Sequence, residues 1–509
     1  MRILKLSLLL AILCVSCQKK AIVFVDNGLL IENVTILTPK DGKYSSFIGN
    51  IVIENDEIIS VSRDQKTVKG SFTTVNGKGK YIIPGLIDSH VHLASIAGMN
   101  WKHVQKYPDF SKAYFDQLPN SYLYYGYTTL IDVNNYNPKI INKLLSKDIR
   151  PDIYTCGEQV VIDHDLMMNE YEDDKRFDAY PNFLHDSYNE RAKLPDSIDA
   201  NNHTPKSIVS RITEENGGIC VKTLYEDGFG GTEELTWELP SKDIIRDIVT
   251  EAHSQNIPVL LHANAYEAQK FGVETGVDIL AHGMWHWGNL EEYLGKSELP
   301  QTHKALLGEI AKRKIGYQPT IRVVGGQKDV FDNTFLDNKN LPHVLPKDFL
   351  NWLTTDEGHW QEQNIKKYAG GFINGLSNEE IMELMQKVVD KVEIATKELS
   401  YNNANLIFGT DTPAANTHTM PPGLNGFMEM QKWSQIGVSL EQILMAATIN
   451  NAKAFNLDSK LGSIESNKTA NLILLNKNPL LTVEAYDAIE KVIIRGELLN
   501  RKNLSATNR

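Results

Sequence analysis

With four cysteines in 509 residues, this chain has too few for a disulfide framework, and its stability must come from a buried core. Low-complexity tracts are missing as well. Together with 42% apolar and 23% charged residues, that excludes disordered and collagen-like classes. Nor is there an excess of basic charge. Lysine and arginine number 52 against 64 acidic residues, a net charge of -12, so no polyanion-binding footprint exists and nucleic acid is set aside as a partner. The N-terminal apolar run, Leu6 to Val15, is about ten residues, too short to span a bilayer.

That run follows Arg2 and Lys5 and ends in Ser16-Cys17, the pattern of a signal peptide over residues 1–17. The stretch Cys14-Val15-Ser16-Cys17 resembles the lipobox of bacterial lipoproteins, with Cys14 where leucine is usual. In that reading Cys17 carries lipid and becomes the mature N-terminus, anchoring the protein to a membrane. In the alternative, Cys17 is a spare thiol on a simply secreted protein. Either way the chain is exported, as a periplasmic or outer-membrane lipoprotein of a bacterium if the lipid is attached.

Residues 21–83 read as short alternating apolar segments broken by Asp41-Gly42, Gly49-Asn50 and Gly77 to Gly79, a β-meander pattern. Asn471 to Leu475 and Lys491 to Gly496 repeat it within residues 456–509. Neither end has enough strands to bury a face alone, so the two are expected to pair into one small β-sandwich domain. Over 84–455 the period switches. Eight β-rich runs alternate with helical segments: Ile83 to His92, Gly126 to Val133, Asp152 to Thr155, Gly218 to Leu224, Pro258 to His262, Asp278 to His282, Ile315 to Thr320 and Leu406 to Asp411. Ile244, Ile245, Ile248, Val249 and Ala252 mark one connecting helix. Eight such units favour closure into a (β/α)8 TIM barrel. Residues 157–215 and 323–378 exceed normal connections and read as lids over the barrel mouth, the second carrying Trp352, Trp360, Tyr368 and Phe372.

On a strand, residues i and i+2 face the same way, so His90 and His92 offer two imidazoles to one space. His262, His282 and Asp411 each close an apolar strand, and in a barrel those ends converge at the catalytic face. Lys222 shares a strand face with Cys220 and Leu224. An inward lysine must be paired or held neutral, and a neutral amine can capture carbon dioxide as a carbamate able to bridge two metal ions. The alternative is a lysine that snorkels to the rim and pairs with Glu226 or Asp227.

These motifs together resemble the amidohydrolase superfamily, in the branch of imidazolonepropionase-like proteins and metal-dependent Xaa-Pro dipeptidases. The resemblance runs through Pro84 to His92, Gly126-Tyr127-Thr128-Thr129, Gly276 to Gly283, Gly409-Thr410-Asp411 and Gly462-Ser463-Ile464. Asn467 and Asn471 stand where Gly and Asp are commoner. The resemblance implies a binuclear centre, usually zinc, with His90, His92 and Asp411 around one ion, His262 and His282 around the other, and carboxylated Lys222 between them. Asp411 is then the proton carrier.

Substrate contacts are sought nearby. Tyr225 is a candidate oxyanion donor, Arg322 a candidate carboxylate clamp, and His286 part of an aromatic wall with Met284, Trp285 and Trp287. His164 resembles a loop histidine of this branch. The other histidines lack strand-end placement; His253 suits the last turn of its helix, and 103, 185, 203, 303, 343, 359 and 418 read as surface residues. The expected activity is metal-dependent hydrolysis of C–N bonds in small substrates, dipeptides or N-acyl amino acids. The rivals are a mononuclear cyclic-amide hydrolase or aminohydrolase and, remotely, a non-catalytic binding lipoprotein. The oligomeric state stays open, and a homo-oligomer is allowed.

Overall fold

The computed structural model describes residues 22–64, 66–172, 175–228, 235–368 and 373–508. The signal segment with Cys17, and Phe372 in the second excursion, lie outside them. Both chain ends build one sheet. Its strands are β1 (Ile22–Lys40), β2 (Lys43–Glu54), β3 (Glu57–Ser62), β4 (Thr67–Asn76) and β5 (Tyr81–Pro84) from the N-terminal side. The central body contributes β6 (Leu86–Val91), β7 (Tyr127–Asp132), β8 (Asp152–Thr155), β9 (Val221–Leu224), β10 (Val259–His262), β11 (Ile279–Ala281) and β12 (Gly316–Gln318). β13 (Leu472–Leu475), β14 (Ile489–Ile494) and β15 (Glu497–Asn500) return to the first sheet.

That sheet runs β15-β14-β13-β5-β1-β2-β3, with β4 parallel to β1, so the meander holds for β1 to β3 only. It is a single hydrogen-bonded sheet enclosing its own core, with Ile31, Val34, Ile36, Ile51, Ile58, Leu472 and Ile493 buried together. The run expected as one strand from Ile83 to His92 is divided at Gly85. β5 pairs antiparallel with β13, while β6 enters the barrel beside β7. A Cβ at position 85 would collide with the Thr128 side chain, so the crossing needs glycine. The sheet is tied to the barrel by Asn471, whose Nδ2 donates to Asp152 (2.7 Å), and by Arg495, which donates to the same carboxylate (2.8 Å). Asn467 occupies the left-handed region at φ 69°, which asparagine tolerates.

The barrel strands pair in parallel, β6-β7-β8 and β9-β10-β11-β12. Ile219 N donates to Thr155 O (2.8 Å), joining the two groups. Residues 405–412 close the ring between β12 and β6 as single hydrogen bonds, Ile407 N to Tyr317 O (3.0 Å) and Asp411 N to His90 O (2.7 Å). The eighth unit is irregular because side chains take its backbone groups. Asn451 accepts from Phe408 N, and both Asn451 Nδ2 and Ser89 Oγ donate to Phe408 O. Helices α1 (Pro108–Tyr124), α2 (Pro138–Leu145), α3 (Lys242–Ser254), α4 (Tyr266–Thr275), α5 (Gln301–Arg313) and α6 (Asn378–Tyr401) connect the strands. α3 starts where Ser241 Oγ accepts from Ile244 N (3.2 Å), and buries its Ile244, Ile245, Ile248, Val249 and Ala252 stripe.

Strand alternation sorts the side chains. Leu130, Val221, Leu261, Leu280 and Tyr317 face the helices, whereas Ile131, Cys220, Leu260, Ile279 and Ile407 fill the barrel with Cys156. There the cysteine arithmetic needs a correction: Cys156 and Cys220, both fully buried, form a disulfide across adjacent strand positions. The second excursion is packed over the barrel's C-terminal rim. Trp360 Nε1 donates to Gly98 O (2.8 Å) and Gln361 Nε2 to Asn416 O (2.8 Å), on the loops after the first and eighth units. Four histidines expected at the surface are buried instead, His103, His203, His303 and His418. Each rests on aromatic rings, as His203 does on Phe183 at 3.9 Å, and their polar edges are satisfied by protein groups such as Phe183 O and Trp287 O. Such partners make burial of a neutral imidazole inexpensive.

Candidate metal centre

β6 carries His90 inward and His92 follows its end, while the pairing of 405–412 with β6 sets Asp411 beside both. His92 Nε2 is 2.7 Å and His90 Nε2 3.3 Å from one Asp411 oxygen, and His282 Nδ1 is 3.6 Å from the other. His90, His92 and Asp411 form a group whose ligand atoms all lie within 4.8 Å of one another. The His90 and His282 ring centroids are 5.0 Å apart, and His262 stands 4.4 Å from His282. Lys222 is buried among them, and its charge reaches Asp411, His90 and His282.

The donor set fits divalent cations. Among the described residues, the Asp411 oxygen crowded by two imidazoles has no hydrogen bond of acceptable geometry, and the Lys222 amine has no hydrogen-bond partner. Such buried orphans are costly unless something else satisfies them. Meanwhile the outer nitrogens are committed. His90 Nδ1 meets Gln318 Oε1 at 3.0 Å, which leaves its Nε2 for the centre, whereas His282 Nδ1, the nitrogen 3.6 Å from Asp411, also meets Thr320 Oγ1 at 3.1 Å. His262 is held by Nε2 to Glu226 (3.0 Å), leaving Nδ1. His282 at φ 79° and Asp411 at φ 57° are in the left-handed region, local strain of about 1–3 kcal/mol each at the two strand ends.

Electrostatics favour the ligand forms of His90, His282 and Asp411, and oppose that of His92. Burial, with Lys222 adding to it, drives the His90 pKa well below 6.5, and burial with His262 does the same to His282. Burial opposes protonation of His92 too, yet its bond to Asp411 raises the pKa. Asp411 is penalised by burial, but His90, His92 and Lys222 outweigh that and hold it at about 2. Burial lowers Lys222 to about 7, against the pull of Asp411.

Other expected contacts fall elsewhere. Tyr225 belongs to the outward alternation and its ring packs on Phe271 of α4 at 4.6 Å, so it does not face the centre as an oxyanion donor. Arg322 is buried with its guanidinium engaged by Asp329, Asn425 Oδ1 (3.2 Å) and Thr419 O (2.9 Å), leaving no free fork for a carboxylate. His164 accepts at Nδ1 from Arg176 (3.0 Å), which places its proton on Nε2, a buried atom without a partner. His286 is buried with Nε2 3.3 Å from Asp227 Oδ1. Gln318 and Thr320 were not singled out from the sequence, and Glu226 was named only as a rim partner for Lys222 in the alternative reading. Alternation along Gly316-Tyr317-Gln318 would have placed Gln318 inward; nothing comparable marks Glu226.

Residues 81–278 and 365–499 match the profile of the Amidohydrolase family. Among curated proteins, the chain is 33% identical over 75 residues to a dihydroorotase of Trichlorobacter lovleyi, 15% of this chain and 17% of that one. It is 39% identical over 66 residues to a 5-methylthioadenosine/S-adenosylhomocysteine deaminase of Dictyoglomus turgidum, 13% of this chain and 15% of that one. The chain thus spans under a fifth of those relatives' lengths. Among solved structures, ochratoxinase of A. niger superposes with TM-score 0.62 at 16% identity, covering 93% of this chain and 96% of that one. A Xaa-Pro dipeptidase with bound methionine superposes with TM-score 0.58 at 18% identity, covering 93% and 100%. With the profile matched over more than half its length and the fold shared over 93% of it, the chain belongs to the amidohydrolase family.

Proposed function

We propose that this protein is an exported metal-dependent hydrolase that cleaves C–N bonds in small amides, with dipeptides or N-acyl amino acids as substrates. The observation that carries the reading is the convergence of His90, His92 and Asp411 with His282, His262 and an unpartnered buried Lys222 at one barrel rim. His90, His92 and Asp411 would hold one divalent ion, zinc by default, and His262 and His282 a second, with Lys222 as a carbamate between them. Such ions supply an acidified water near neutral pH and polarise a carbonyl.

The chain's own groups do the rest. Asp411 is ionised and adjoins both imidazoles, so it is placed to take the proton of the attacking water and pass it to the leaving amine. Gln318 keeps the outer nitrogen of His90 occupied, and Glu226 that of His262. His164, with its proton on Nε2, is a further candidate to contact substrate. The full-length likeness to a Xaa-Pro dipeptidase supports the dipeptide class. A second reading, a mononuclear cyclic-amide hydrolase or aminohydrolase, draws on the short matches to a dihydroorotase and a deaminase and on the compactness of the His90, His92, Asp411 group. Export, with lipid on Cys17, is supported by the buried Cys156–Cys220 disulfide, which suits an oxidising compartment.

The test is turnover of a panel of dipeptides and N-acyl amino acids, with metal counted per chain. Two ions and cleavage of panel members are expected, with Asp411→Asn losing about 100- to 10,000-fold in kcat. Retained activity in that variant removes the proton-transfer assignment. One tightly held ion with unmodified Lys222 moves the reading to the mononuclear alternative.

A further inference from the structure

Beside His262, the ends of β9, β10 and β11 hold three acceptor atoms without donors. Among the described residues, Asp227 Oδ1 and Asn264 Oδ1 are buried atoms with no hydrogen-bond partner, and the ring nitrogens of His286, which is 5% exposed, have none either. Their identities as acceptors follow from their neighbours. Asn264 Nδ2 donates to Glu226 Oε2 at 2.8 Å, and a carboxylate only accepts, so the amide oxygen must point away. His286 Nε2 and Asp227 Oδ1 stand 3.3 Å apart with no hydrogen bond between them, so with the imidazole proton on Nδ1 they are two acceptors side by side that one donor group can bridge. Backbone pairing keeps the group together: Trp285 N donates to Asn264 O (2.6 Å), and Ala265 bridges His286. Glu226, the neighbour of Asp227, touches metal-ligand candidate His262 at 3.0 Å, so the cluster adjoins one ligand of the candidate centre.

An ammonium offers three donors and one positive charge, the complement of three acceptors of which one is a carboxylate. Resting on the hydrolase reading above, we infer that Asp227, His286 and Asn264 seat the protonated α-amine of the substrate, so that free dipeptides are the substrates and N-acyl amino acids are not. In a dipeptide the amine is borne by the carbon next to the scissile carbonyl. The indole N–H of Trp285, whose ring is 5.6 Å from the His282 ring by centroid, has no partner among the described residues and is a further donor for a substrate oxygen.

The experiment compares Leu-Ala with 4-methylpentanoyl-Ala, which has the same acyl chain without the amine, on the metal-loaded wild type and Asp227→Asn. The wild type should favour Leu-Ala by about 30-fold in kcat/KM, and Asp227→Asn should lose about that factor on Leu-Ala while changing less than about threefold on the amine-free substrate. Equal losses on both substrates, with a lowered melting temperature, mean that the Asp227–His286 contact only fastens loops, and overturn the inference. So does a wild type indifferent to the amine. Calorimetric binding of leucine and of 4-methylpentanoate to both proteins separates this inference from the hydrolase reading. If neither substrate is cleaved yet leucine binds more tightly in an Asp227-dependent way, the amine seat stands and the hydrolase reading falls; equal binding of the two ligands overturns the seat.

Discussion

Gln318→Leu perturbs the centre without touching a ligand atom. Gln318 is fully buried at the end of β12. Its Nε2 donates to Ser89 Oγ (2.8 Å) and Ser89 O (3.3 Å), and because a carbonyl only accepts, Oε1 must face His90 Nδ1. That carbonyl therefore keeps the His90 proton on Nδ1 and turns the Nε2 lone pair toward Asp411. Leucine fills nearly the same volume but accepts nothing, so a buried N–H and the Ser89 carbonyl lose a partner, at about 1–3 kcal/mol. Loss of such an outer partner lowers metal affinity about 10- to 100-fold, about 1.4–2.7 kcal/mol. Competition for zinc with a chromogenic chelator reads this directly, with no activity needed. Gln117→Leu is the control. Gln117 is also buried and donates to Leu504 O (3.0 Å), far along the chain from any ligand candidate, so it should cost stability and leave affinity unchanged. Zinc affinity of Gln318→Leu within twofold of wild type would refute the argument that Gln318 sets the His90 tautomer.

Three further outcomes are expected. In the metal-free protein the Lys222 amine titrates at about 7 when folded and at 10.5 in its ordinary state, so the unfolded chain binds the extra proton between those values and stability rises with pH across that window; melting curves of wild type and Lys222→Met should diverge there, and parallel curves count against a buried neutral amine. Lys222→Ala should lose activity and regain part of it with added short carboxylic acids, whereas no recovery at unchanged metal content argues against the carbamate. The Cys156–Cys220 bond closes a segment with sequence separation 64, which in the chain-entropy picture stabilises by about 4 kcal/mol. The Cys156→Ser/Cys220→Ser double variant should lose that amount in denaturant unfolding; no change in midpoint or slope would mean that the bond adds nothing beyond the core.

Taken alone, the sequence located seven of the eight barrel strands, the inward face of most of them, and the side chains at their ends. These properties follow from the two-residue period and from burial, both local. His90, His92 and Lys222 could thus be assigned to an inner face from their neighbours alone. Long-range pairing decided the rest. The crossing at Gly85, the disulfide between Cys156 and Cys220, and the irregular eighth unit depend on contacts between residues far apart in the chain, which no periodicity encodes. The partners that orient the ligands are equally remote, Gln318 lying 228 residues from His90 and Glu226 lying 36 from His262. Arg322 shows the same limit from the other side: its position was visible, but Asp329, Asn425 and Thr419 had already used its donors. A side chain's chemistry is written in its own identity, while the atom it presents to a site is decided by whichever neighbours the fold brings to its other atoms.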